Sequence, residues 1–95
     1  MNILIFGGTT EGRLLAQALS QRGRSATVSV ATSLGAQELA GLSGITALVG
    51  RKTGAEMTAL LQNFDRCVDA THPYAVEVSQ NIRAACEAAE VPLRR

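Results

Sequence analysis

A chain of 95 residues has room for one small domain, and its hydrophobic residues, 46% of the chain where aromatic residues make up only 3%, are carried by Ala, Leu, Val and Ile, as in packed helices and buried strands. A net charge of +1, with the charges scattered, excludes a basic nucleic-acid footprint and an acidic tail, so no nucleic acid is expected as partner. Cys67 and Cys86 with a single histidine make no conventional zinc site, and no metal is expected; without a membrane-length apolar run or a basic leader, the expected setting is a reducing cytoplasm away from the membrane.

The first strand is ILIF, Ile3–Phe6, broken by Gly7 and Gly8. Leu14, Leu15, Ala18 and Leu19 then recur at helical spacing between Glu11 and Arg22, with Gly23 as the stop. From Ser25 to Ala31, Ala26, Val28 and Val30 alternate with Thr27 and Ser29, which predicts a strand. Gly35 to Gly41, holding Leu39 and Ala40, predicts a short helix, and Ile45 to Val49 a third strand ending at Gly50. Met57, Leu60, Leu61 and Phe64 define an amphipathic helix that starts after Thr53 and Gly54. Arg66 to Ala70 is a fourth strand running into DATHPYA, and Pro73 marks the start of a helix whose face is Ala75, Val78, Ile82, Ala85 and Ala89. Val91 to Leu93 opens a fifth strand.

Strands alternating with helices through crossovers of this length specify an α/β, Rossmann-like three-layer domain over residues 1–95, its sheet parallel and its connections right-handed. The expected strand order is 3-2-1-4, with a fifth strand just begun at the edge. This order reverses between strands one and four, and ligands bind at the carboxyl ends of strands beside such a reversal. GGTTEG and DATHPY follow those two strands.

In GGTTEG the two glycines permit a sharp turn, and the first amides of the next helix lack intrahelical partners at the positive end of its dipole. Such a turn attracts phosphate. The glycines at Gly7, Gly8 and Gly12 do not fit GxGxxG, so the surrounding strand and helix strengthen the reading more than the pattern does. The bland alternative is a threonine-capped turn without a ligand. Gly7, Gly8, Thr9, Thr10 and Glu11 are the candidate phosphate loop, with Glu11 directed away from the phosphate and complementing the helix dipole, and Gly12 serving close packing. An acid that would hold a ribose 2′-hydroxyl is expected about 20 residues on, yet the second strand ends in Ala31, Thr32 and Ser33. This leaves room for a 2′-phosphate, bound by Thr32 and Ser33 with Arg51 or Lys52 reaching over. In DATHPYA, Thr71, His72 and Tyr74 stand at the second side of the crevice, where nicotinamide positioning or substrate contact is the expected task. His72 and Tyr74 are the candidate catalytic groups; a structural role for His72, capping the following helix, is the competing view.

ILIFGGTTEGRLLA, VSVATSLG, VGR and above all DATHPYA resemble the precorrin-6A reductase family of cobalamin biosynthesis, including its cobalt-precorrin branch. The resemblance implies an NADPH-dependent oxidoreductase that delivers hydride to a double bond of a tetrapyrrole macrocycle. It places Gly7 to Glu11 at the phosphates, Thr32, Ser33 and Arg51 at the adenosine end, and Thr71 to Tyr74 toward nicotinamide and substrate. Family members are longer, with a second α/β domain closing the substrate cleft, so the resemblance covers the NADP-binding amino-terminal domain. The rival expectations are a non-catalytic nucleotide-sensing or interaction module on the same fold, and a short-chain reductase or epimerase. The second lacks its lysine, because none follows Tyr74.

Overall fold

The computed structural model describes residues 1–95. Strands and helices alternate as β1 (Ile3–Phe6), α1 (Thr10–Gln21), β2 (Ala26–Val30), α2 (Ser33–Gln37), β3 (Ile45–Val49), α3 (Gly54–Leu61), β4 (Arg66–Asp69), α4 (Val76–Ala89) and β5 (Leu93–Arg94). All four strand pairings are parallel and the sheet runs β3-β2-β1-β4-β5, the order the sequence predicts. The reversal falls between β1 and β4.

Alternation along each strand divides the core between two faces. Ile5 packs with Ala26, Val28 and Val30 beneath Ala16 of α1 and Leu39, whereas Leu4, Phe6 and Cys67 pack with Met57 and Leu61 of α3 and with Ile82, Ala85 and Cys86 of α4. Covered on both sides, β1 reads as an unbroken apolar run instead of an alternating one. Leu61 and Ile82 are fully enclosed, each contributing roughly 2 to 3 kcal/mol by burial. Cys67 and Cys86 are free and buried; loss of solvent pushes both thiols up, so neither offers a thiolate.

The ends of the elements follow from identifiable hydrogen bonds. Gly23, at φ 71°, lets its own amide reach Ser20 O at 3.0 Å and the Arg24 amide reach Leu19 O at 2.9 Å, closing α1. Thr53 and Glu56 cap the start of α3 reciprocally. Three expectations need correction. The short helix α2 begins at Ser33, not Gly35, because the Thr32 hydroxyl accepts from the Gly35 amide at 3.2 Å and so caps it earlier. α4 begins at Val76, not at Pro73, because the Ala75 amide donates to His72 O at 2.9 Å and Ala75 itself is non-helical. This turn, with no side-chain cap, replaces the expected start. On α1 the inward face carries Gly12 and Ala16, with Leu15 and Leu19 packing at its margin, while Leu14 is exposed. A shift of one residue on a helix turns a side chain by about 100°, enough to put Leu14 outside.

Candidate functional site

The carboxyl ends of β1, β2, β3 and β4 all open on one side of the sheet. The β1–α1 turn begins as an extension of the sheet, with the Gly7 amide donating to Ser29 O at 2.9 Å. Its two glycines serve different ends. A Cβ on Gly7 would lie 2.8 Å from Val28 Cγ1, so this residue permits close approach to β2; Gly8 adopts φ +110° with open space where a Cβ would stand, so there the backbone conformation demands glycine. Gly12 is pressed against Ala70, whose Cβ would be 3.3 Å from an added one.

Thr9 caps α1 by accepting from the Gly12 amide at 3.2 Å, and its hydroxyl proton goes to Ala70 O at 2.6 Å. The Ala70 amide in turn donates to Phe6 O at 2.9 Å. The loops after β1 and β4 are thus tied together, and the Thr9 hydroxyl is spent inside the fold. The amides of Gly8, Thr9, Thr10 and Glu11, by contrast, have no protein acceptor. Four unpartnered donors stand at the positive end of a 12-residue helix, an arrangement that favours negative charge. Glu11 lies exposed in the first turn and joins neither of the two salt bridges.

After β3, Gly50 turns the chain at φ +122° and its amide donates to Val30 O at 2.9 Å. Arg51 follows, exposed and without an acidic partner, while Lys52 Nζ donates to Gly50 O at 3.2 Å. Thr32 and Ser33 stand exposed at the start of α2.

The loop after β4 is organised by Asp69, whose side chain is only 2% exposed. One carboxylate oxygen accepts from the Thr71 amide at 3.0 Å and the Thr71 hydroxyl at 2.6 Å; the other accepts from Arg95 Nη1 at 2.6 Å. Arg95 also donates to Ser79 Oγ at 2.5 Å. Burial pushes the Asp69 carboxyl up, but hydrogen bonds from Thr71 and Ser79 and the Arg95 charge outweigh it and hold the group below the usual carboxylate range. His72 Nδ1 accepts from the Tyr74 amide at 3.3 Å, so the ring N–H is carried at Nε2. The His72 and Tyr74 rings lie 4.7 Å apart and tilted by 32°.

A cleft of about 560 Å³ runs over these strand ends, large enough for an extended small molecule. Of the expected site residues it brings together Gly7, Gly8, Arg51, Thr71 and His72. Thr9, Thr10, Glu11, Thr32 and Ser33 do not line it, nor does Tyr74, which is 85% exposed. Met57 from α3 and Glu77, Val78 and Asn81 from α4 also line it, and sequence reasoning missed all four as site residues. Val78 belongs to the apolar helix face that the sequence predicts, but with α4 starting at Val76 the first turn of the helix stands clear of the core and forms a wall of the cleft. A smaller cavity of about 360 Å³ at the opposite, amino ends of the strands is lined by groups such as Asn2, Thr27 and Thr46 and holds no titratable side chain. No three His, Cys, Asp or Glu side chains converge to hold a metal, and no helix is long and apolar enough to cross a membrane.

Comparison with known proteins gives this arrangement its family. Residues 2–95 match the model of the family described as precorrin-6x reductase CbiJ/CobK. The chain belongs to that family. Its similarity to a cobalt-precorrin-6A reductase of Salmonella typhimurium is 42% identity over 96 residues, covering 99% of this chain and 36% of the relative. A solved CobK precorrin-6A reductase superposes with a TM-score of 0.82 at 32% identity, covering 98% of this chain and 37% of the other. A Rossmann-fold NAD(P)-binding family protein from Shigella flexneri, at 17% identity and a TM-score of 0.75 over 97% of this chain and 49% of its own, shares the fold. This CbiJ/CobK family chain therefore spans a little over a third of the length of the reductases it matches.

Proposed function

We propose that residues 1–95 are the cofactor-binding domain of an NADPH-dependent reductase acting on a double bond of precorrin-6A or cobalt-precorrin-6A in cobalamin biosynthesis. The observation that carries this reading is the row of four unpartnered amides from Gly8 to Glu11 at the switch point of the sheet, with Arg51 and His72 in the adjoining cleft. The row fits a pyrophosphate, since an added Cβ on Gly8 would meet nothing within 4 Å. Thr9 and Thr10 serve it through their amides. Arg51, free of any internal ion pair, and the hydroxyls of Thr32 and Ser33 receive the 2′-phosphate, in place of the acid that would hold a free 2′-hydroxyl.

Bound NADPH would supply the hydride chemistry; this chain holds and orients it. The loop from Thr71 to Tyr74 fixes the nicotinamide end, and His72 presents an N–H to a substrate entering above it. Proximity of nicotinamide and macrocycle is then the main catalytic contribution. Tyr74 stands at the outer margin of this arrangement, available to substrate but outside the cleft.

Fluorescence titration of the chain with NADPH and NADH tests the cofactor assignment: NADPH binds more tightly, and Arg51→Ala narrows the gap. Equal affinities refute the 2′-phosphate argument. For the reaction, the complete protein should oxidise NADPH only when precorrin-6A or its cobalt form is present. NADPH binding without such oxidation would favour a nucleotide-sensing module.

A further inference from the structure

Thr71 lines the cleft, and the polarity of its hydroxyl is set from behind. A hydroxyl has one proton and two lone pairs, and an ionised carboxylate has only lone pairs. In the 2.6 Å contact between Thr71 Oγ1 and Asp69 Oδ1, the proton therefore belongs to Thr71. The same carboxylate oxygen accepts the Thr71 amide and the other oxygen is held by Arg95, so the carboxylate is fixed in place with its acceptor facing the hydroxyl. Ser79 Oγ, itself held by Arg95, is 3.4 Å from Thr71 Oγ1 and takes up at most one lone pair. What Thr71 shows the cleft is an acceptor without a proton.

Acceptor-only groups discriminate among the parts of a dinucleotide. Phosphates are acceptors and belong at the amides of Gly8 to Glu11; ribose hydroxyls serve either way. The carboxamide NH2 of the nicotinamide ring is an obligate donor. With the phosphates at β1 and the adenosine end over β2 and β3, the other end of the cofactor reaches the β4 loop. We propose that Thr71 Oγ1 accepts a hydrogen bond from the nicotinamide carboxamide, with Asp69 acting as the positioning residue that strips the hydroxyl of donor capacity. This rests on the cofactor reading above and adds to it a specific contact that orients the ring.

The test compares NADP⁺ with its 3-acetylpyridine analogue, in which a methyl group replaces the carboxamide NH2, by titration calorimetry on this chain. NADP⁺ should bind about fivefold more tightly, the size of one net hydrogen bond. Thr71→Val should weaken NADP⁺ to the level of the analogue while changing the analogue less than about twofold, and Thr71→Ser should keep the preference. Equal binding of the two ligands by the unaltered chain overturns the proposal without any variant. A parallel loss of both in Thr71→Val, which a disturbed loop would give, overturns it as well. Failure of the unaltered chain to bind NADP⁺ at all defeats the cofactor reading, and this contact with it.

Discussion

Gly7→Ala should destabilise the domain through a single contact, which makes its cost removable. The added Cβ would sit 2.8 Å from Val28 Cγ1, while its next neighbours, Val30 Cγ1 at 3.7 Å and Ser29 O at 3.8 Å, are at ordinary distance. Val28 is 1% exposed and β-branched, so it has neither space nor rotamers with which to retreat. Overpacking of this kind costs about 2 kcal/mol, while the alanine backbone itself recovers roughly 0.5 kcal/mol by restricting the unfolded chain. Val28→Ala alone costs about 2 kcal/mol by opening a cavity, but it deletes the clashing methyl. In that background only the gain of roughly 0.5 kcal/mol remains, a coupling of about 2 kcal/mol between the two sites. Urea unfolding of the four proteins measures it; with a slope of about 1 kcal/mol/M, Gly7→Ala lowers the midpoint by roughly 1.5 M in the parent and raises it by roughly 0.5 M beside Val28→Ala. An equal cost in both backgrounds would refute the steric explanation. The double variant also separates packing from ligand contact, because NADPH binding lost in a protein of restored local packing would show that Gly7 is needed at the phosphate as well.

Gly8→Ala should cost about 1 to 2 kcal/mol whatever stands at position 28, since it suffers from φ +110° and not from a neighbour; the same urea series checks this. Glu90 closes α4 in the left-handed region at φ 57°, so Glu90→Gly should raise stability by about 1 kcal/mol, a thermal shift of roughly 4 to 8 °C. Asp69 has a folded pKa held below its unfolded value. Its contribution is therefore complete above the ordinary carboxylate pKa of about 3.9 and is lost as pH falls through the lower, folded value. Unfolding midpoints measured from pH 6 down to pH 2 should fall more steeply in the parent than in Asp69→Asn; parallel curves would sink this assignment. Arg51→Ala should reduce NADPH affinity by roughly tenfold, the size of a charge-assisted hydrogen bond, and leave NADH nearly unchanged in the fluorescence titration.

The sheet was legible because its information is local and repeated. Buried strands of Val, Ile and Leu, crossovers of helical period and glycine stops determine a parallel order with little freedom, and the switch-point position of both special loops follows from that order. The boundaries of α2 and α4 were less accessible. Thr32 looks like any residue after a strand until its hydroxyl is found on the Gly35 amide, and Pro73 resembles a first-turn proline until the Ala75 amide closes a turn on His72. The later start of α4 is also why Glu77, Val78 and Asn81 reach the cleft. Side-chain polarity was the least visible. Nothing in the string GGTTEG tells that the hydroxyl of Thr9 is given to Ala70, or in DATHPYA that Thr71 gives its proton to Asp69.

The bond from Thr9 to Ala70 bears on how the cleft can adapt. Because it joins the two loops at the centre of the sheet, and both loops are further fastened to β1 or β2 by backbone hydrogen bonds, the floor of the crevice has no seam along which to open. Adjustment to a bound ligand is therefore left to the rims, at Arg51 on one side and His72 with Tyr74 on the other, where the side chains are exposed and can reorient without breaking the floor.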